Sequence, residues 1–156
     1  MKHQVRGMTL IELMIVAAII GVLAGIAIPK FAQMIRKSQE AATLGQLGGV
    51  RSALTIYYAD NEGRYPQVPL GFNTTALQAV LTNQGKYLAL WPPLHVPTYH
   101  DITNTVDTVN SDDFASIDPL CDGEYVYVAD PASPAFGKIA IECYNQDLKG
   151  RIWSTY

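Results

Sequence analysis

The chain's hydrophobic pattern is dominated by one run. From Met8 to Ile28, 21 residues carry a single charge, Glu12, and the run stops at Pro29. At ~1.5 Å rise per residue, a helix of that length spans roughly 31 Å, about the hydrocarbon thickness of a bilayer. The pattern therefore predicts a membrane-spanning helix over residues 8–29. Phe31, Met34 and Ile35 prolong the apolar stripe, and Leu47, Val50, Leu54 and Tyr57 recur at spacings of 3, 4 and 3. Pro29 is expected to kink the helix rather than end it, because helical periodicity resumes at once. Asp60-Asn61-Glu62-Gly63 is the natural stop, with Gly63 as C-cap and Pro66 beyond. An amphipathic continuation over 30–62 follows, expected to present Leu47, Leu54 and Tyr58 to a globular domain.

Residues 63–156 read as that domain. A short helix is expected at about 74–84, capped by Asn73 or Thr74, with Leu77, Val80 and Leu81 on its buried face. Residues 94–118 hold His95, His100 and many Asn, Asp and Thr residues with little periodicity, so they read as a surface loop. Alternation predicts strands at about 124–129, 138–144 and 151–155, with Tyr125, Tyr127 and Ala129 on one face of the first. Turn-rich links between them suggest an antiparallel meander packed on the helix at 44–58. The expected fold class is α+β.

Charge placement adds direction. The net charge is -3, with Lys2 and Arg6 ahead of the apolar run and acids dominant beyond Asp60. The basic flank predicts a cytoplasmic N-terminus and an exported remainder. Removing residues 1–7 leaves a chain near -5 (-3 minus 2). Nothing in this balance points to nucleic acid. In an oxidising compartment Cys121 and Cys143 read as a disulfide, worth on the order of 3 kcal/mol for so long a loop, against an alternative of two buried thiols.

Glu12 is the costly residue, since a carboxylate within a membrane needs a partner. Ala17, Gly21 and Gly25 recur at i, i+4 and i+8, a small-residue stripe that lets helices approach closely. Catalytic signatures are missing: there is no Gly-x-Ser-x-Gly, phosphate loop, His-Glu-x-x-His or Cys-x-x-Cys. The expectation is no enzyme and no cofactor. Asp112, Asp113 and Asp118 lie in an oxygen-rich stretch that makes them weak calcium candidates.

Three readings fit residues 1–28: a secretory signal, a plain signal anchor, or a prepilin-type signal cut before the apolar helix. Lys2-His3-Gln4-Val5-Arg6-Gly7, followed by Met8-Thr9-Leu10-Ile11-Glu12 and the apolar run to Pro29, resembles the third. It is similar to the N-terminal segment of type IV pilins and type II secretion pseudopilins. Arg51 to Pro66, ending Tyr57-Tyr58-Ala59-Asp60-Asn61-Glu62-Gly63-Arg64-Tyr65-Pro66, is a second point of resemblance.

The resemblance implies a pilin-like fold, a long N-terminal helix on a small sheet. It implies cleavage between Gly7 and Met8 by a prepilin peptidase, N-methylation of Met8, and assembly into a homopolymeric filament. Thr9, Glu12, Ala17, Gly21, Gly25 and Pro29 would lie on the assembly segment, with Glu12 neutralising the new amine of a neighbouring subunit. Met8 departs from the usual Phe, and Gly49 stands where many pilins have a second helix proline. The implied partners are the inner membrane before assembly, an assembly platform and an ATPase motor. The implied locations are an extracellular pilus or a periplasmic pseudopilus. A signal-anchored periplasmic enzyme or binding domain is the alternative from another class.

Overall fold

The computed structural model describes residues 7–112, 114 and 123–156, with only the backbone of Asn73. The chain divides into two compact units, one ending at Arg36 and the other covering Lys37–Tyr156. Helix α1, Leu10–Asp60, begins in the first and ends in the second, with Pro29 inside it.

In the first unit the helix buries almost nothing of itself. Leu10, Ile11, Met14, Ile20, Val22 and Ile26 are all exposed. So large an apolar surface requires lipid or protein around it. Among the described residues, one helix is long and apolar enough to cross a membrane.

In the second unit the helix is amphipathic and buries Leu47, Val50, Ala53 and Leu54. Tyr57 packs at the margin of the same core, whereas Tyr58 is exposed and stacks on Tyr65. The expectation of Leu47 and Leu54 facing the domain holds, while Tyr58 is replaced by its neighbour Tyr57. The helix ends where Gly63, at φ +78°, donates its N–H to the Tyr58 carbonyl at 2.9 Å. A left-handed residue there closes the last turn and satisfies a terminal carbonyl.

Four strands follow: β1 (Gly71–Thr74), β2 (Val106–Val109), β3 (Tyr125–Val128) and β4 (Ile139–Ile141). They form one sheet in chain order, β1-β2-β3-β4. β1 runs antiparallel to β2 and β4 antiparallel to β3, but β2 and β3 are parallel, Val106 opposite Tyr125 and Val109 opposite Val128. The sheet is therefore mixed, which corrects the expected antiparallel meander. A parallel pair needs a crossover instead of a hairpin, and residues 110–124 make that connection.

Alternation along β3 divides the core. Tyr125 and Tyr127, with Ile139, Ile141 and Cys143, face Leu47, Val50 and Leu54 of α1. Val126 and Val128 turn to the opposite face, with Val109, Phe114 and Ala140.

Three other expectations are corrected. The loop assigned to 94–118 contains β2, whose Asp107 and Thr108 are buried within the sheet. The helix expected over 74–84 is shorter, α2 at Ala76–Leu81 followed by a 3-10 turn at Asn83–Gly85, because β1 occupies the residues before it. Thr74 Oγ1 accepts the Ala76 N–H at 3.1 Å as the chain leaves that strand. The strand expected at 151–155 is a 3-10 turn over Trp153–Thr155, with only an isolated bridge between Gln146 and Ile152. The Trp153 indole is fully buried in the core.

Candidate assembly segment and the domain behind it

Gly7, Met8 and Thr9 precede α1, and Thr9 caps it. Thr9 donates its backbone N–H and its hydroxyl to Glu12 Oε2 at 2.7 and 2.8 Å. In return, the Glu12 N–H points at Thr9 Oγ1 at 3.3 Å. This reciprocal pair is a capping box. It satisfies donors that a helix start leaves without partners and places a carboxylate at the positive end of the helix dipole. The Thr9-x-x-Glu12 spacing is the sequence signal for such a box. The only charge in the apolar run is thus fixed to the first turn, beside the Gly7–Met8 bond.

Ala17, Gly21, Gly25 and Pro29 follow on the same helix. Apart from chain neighbours and the helix's own backbone, no atom of the described chain lies within 4 Å of where a Cβ would stand on Gly21 or Gly25. Packing within the chain gives no reason for glycine at either site.

The other candidates separate. His100 lies in the domain with Nε2 3.6 Å from Cys143 Sγ, and its ring covers Gly123, where an added Cβ would meet His100 Cγ at 2.7 Å. Cys121 lies outside the described residues, so the expected disulfide stays an expectation. His95 lines an open polar hollow of about 320 Å³ with Thr98, Tyr99, His100 and Asp101. Asp112 pairs with Lys138 at 3.2 Å, with both side chains about half exposed. Asp113 and Asp118 lie outside the described residues. Among those described, no three His, Cys, Asp or Glu side chains converge as a metal site requires.

Three polar residues, Glu40 and Asp147 buried and Arg51 half-buried, escaped sequence reasoning. Glu40 on α1 accepts the Leu148 N–H at 3.1 Å with each carboxylate oxygen. Arg51 donates Nε and Nη2 to the Ile139 carbonyl at 3.2 and 2.8 Å, and Nη2 also reaches the Tyr156 carbonyl. Asp147 accepts the N–H groups of Lys149 and Arg151, both at 2.8 Å, together with the Tyr156 hydroxyl. Glu40 and Arg51 thereby tie the helix to β4 and to the segment after it. Sequence gives little warning of the Glu40 and Arg51 bonds, because they join residues 88 to 108 positions apart.

A family described as the prokaryotic N-terminal methylation motif matches residues 2–28. The chain is similar to "Fimbrial protein EcpC" of Eikenella corrodens, 39% identical over 88 residues, which are 56% of this chain and 54% of the relative. It is 42% identical over 80 residues to both "Fimbrial protein Q" of Moraxella bovis and "Type IV major fimbrial protein FimA" of Dichelobacter nodosus. Each of these alignments covers 51% of this chain and 50% of the relative. The chain thus spans about half the length of the curated relatives it matches. No solved structure matches it. The relatives are named as fimbrial proteins. The chain thus shares a methylation motif over residues 2–28, and similarity over about half its length, with proteins named as fimbrial.

Proposed function

We propose that this chain is a structural subunit of a type IV pilus. In this reading a prepilin peptidase cuts between Gly7 and Met8, the new Met8 amine is methylated, and subunits polymerise through the apolar part of α1. The observation that carries it is the motif match at residues 2–28, which contains the Gly7, Glu12 and Ile28 region, together with relatives named as fimbrial proteins. Those names favour a pilus over a secretion pseudopilus, and the motif favours processing over a plain signal anchor.

Each residue has a physical role in this reading. Before assembly the 8–29 segment spans the inner membrane with its N-terminus in the cytoplasm. Cleavage creates a cation next to the Glu12 carboxylate, and pairing with a neighbour's amine offsets the burial of both charges. Ala17, Gly21 and Gly25 allow close helix approach in the filament core. An assembly platform and an ATPase motor supply the extraction work. A Cys121–Cys143 disulfide closes the crossover of the exported domain.

Processing tests the proposal. Gly7→Val places a branched side chain at the cut site. Membranes from cells making this variant are expected to hold only the uncut chain, and filaments are expected to lack it. A Gly7→Val chain that starts at Met8 and assembles normally contradicts the proposal.

A further inference from the structure

The end of α1 carries the closest aromatic pair among the described residues. The Tyr58 and Tyr65 rings have centroids 4.6 Å apart and planes tilted by 37°. That is the near end of the range for aromatic pairs, so facing ring carbons are in van der Waals contact. Tyr57 and Tyr87 meet edge-on instead, at 5.2 Å and 60°. Tyr125 and Tyr127 are buried on β3, with their hydroxyls on backbone carbonyls. Tyr58, by contrast, is 40% exposed. Tyr65 is half-buried and borders an open hollow of about 450 Å³ with Tyr57, Asp60 and Arg64. A small oxidant in solution can therefore reach this pair.

The fold holds both rings. Tyr58 lies on the last turn of α1, and its carbonyl accepts the Gly63 N–H at 2.9 Å. Its hydroxyl lies over Gly63, 3.3 Å from where a Cβ would stand. Tyr65 meets Phe136 nearly at right angles, 5.9 Å between centroids, and its ring covers Gly137 with no room for a Cβ. The turn between β3 and β4 thus backs Tyr65 where it meets Tyr58. Groups already held in contact react as one molecule, without the entropy cost of finding each other.

Two phenols in that arrangement are placed for oxidative coupling. We propose that Tyr58 and Tyr65 are a modification site, joined as an intramolecular dityrosine by a one-electron oxidant, a haem peroxidase supplied with hydrogen peroxide. Each phenol gives up one electron and its hydroxyl proton, leaving a phenoxyl radical. The radicals join through a carbon–carbon bond between their Cε positions. The hydrogens on the joined carbons then shift to the two oxygens and restore both phenols. The two electrons and two protons released reduce one hydrogen peroxide to two waters, and the linked chain is lighter by two hydrogens. The new bond ties the end of α1 to the segment beyond the Gly63 turn. It requires only the folded Lys37–Tyr156 unit, so it stands apart from the filament reading.

The test treats the full chain, dilute in detergent, with a haem peroxidase and hydrogen peroxide. Dityrosine fluorescence is expected in the monomer band, and peptide mass spectrometry is expected to place the link between Tyr58 and Tyr65. Tyr58→Phe and Tyr65→Phe keep the rings in contact but remove a phenol, and each is expected to lose nearly all of the monomer signal. Tyr57→Phe and Tyr87→Phe are expected to keep it. Mapping in the unsubstituted chain decides the matter even where a variant folds poorly. Oxidised chain without dityrosine, links found only between separate chains, or links mapped to other tyrosines would each overturn the site.

Discussion

At the scale of single residues, Thr98 is the clearest point of strain. It has φ +78° and follows Pro97 in a turn closed by the Tyr99 N–H on the Val96 carbonyl at 3.3 Å. Glycine suits the third position of such a turn, and a β-branched residue there is strained. Thr98→Gly is expected to raise stability by about 1 kcal/mol, read from the denaturant midpoint. Asp147 behaves in the opposite sense. Burial pulls its pKa upward, but hydrogen bonds from the Tyr156 hydroxyl and from the Arg151 and Lys149 N–H groups outweigh burial and hold it below the ordinary range. A depressed carboxylate contributes stability above its unfolded pKa, and that stability is lost as pH falls through the folded value. Asp147→Asn is therefore expected to destabilise the domain by about 1–2 kcal/mol at pH 7. The difference from wild type should shrink in acid, and a constant difference down to pH 2 would contradict this account.

At the scale of elements, the end of α1 and the centre of the sheet make separate predictions. Gly63→Ala places a Cβ on a left-handed residue, 3.3 Å from the Tyr58 hydroxyl oxygen. It is expected to lower stability by about 1 kcal/mol, measured by thermal unfolding. On β3, burial pushes the Tyr125 and Tyr127 phenols far above their ordinary pKa. Each hydroxyl donates to a backbone carbonyl, Pro92 at 3.3 Å and Pro66 at 2.8 Å. Because the folded pKa is raised, the stability from the neutral phenols is complete below about pH 10 and is lost as pH rises beyond it. Two phenols are therefore expected to ionise only as the fold is lost, so the ultraviolet signal of those tyrosinates should rise with the loss of circular dichroism. The sequence made β3 and β4 legible because apolar residues alternate there over a run of ordinary length. It concealed β2, since Val106-Asp107-Thr108-Val109 is short and half polar and resembles the loop around it. It misassigned 151–155 because Ile152 and Trp153 suit a strand locally. The outcome is decided by distant bonds, with Trp153 N–H on the Asn145 carbonyl at 3.2 Å and the Asp147-centred turn before it. Parallel pairing of β2 and β3 could not be read locally either, since it depends on the route taken by 110–124.

At the scale of the whole molecule, the two units differ in what they require from their surroundings. The Lys37–Tyr156 unit supplies its own core, on both faces of its sheet, and ties the buried Glu40 to backbone. The N-terminal unit does not, because its apolar residues are exposed along the length of the helix. That contrast was plain in the sequence, since 21 residues with one charge stand out without any tertiary information. The role of Glu12 follows from the same contrast. Glu12→Val removes the charge and the capping box but keeps an apolar helix. It is expected to leave membrane insertion intact and to reduce the chain in sheared filaments at least tenfold, by immunoblot of the two fractions. The central claim is that this chain is cut after Gly7 and built into a filament. The most direct measurement is the mass of the N-terminal peptide from the chain in sheared, purified filaments. A peptide that starts at Met8 and is heavier by one methyl group is the predicted result. A chain that is missing from filaments, or that retains Lys2 to Gly7 within them, would contradict it.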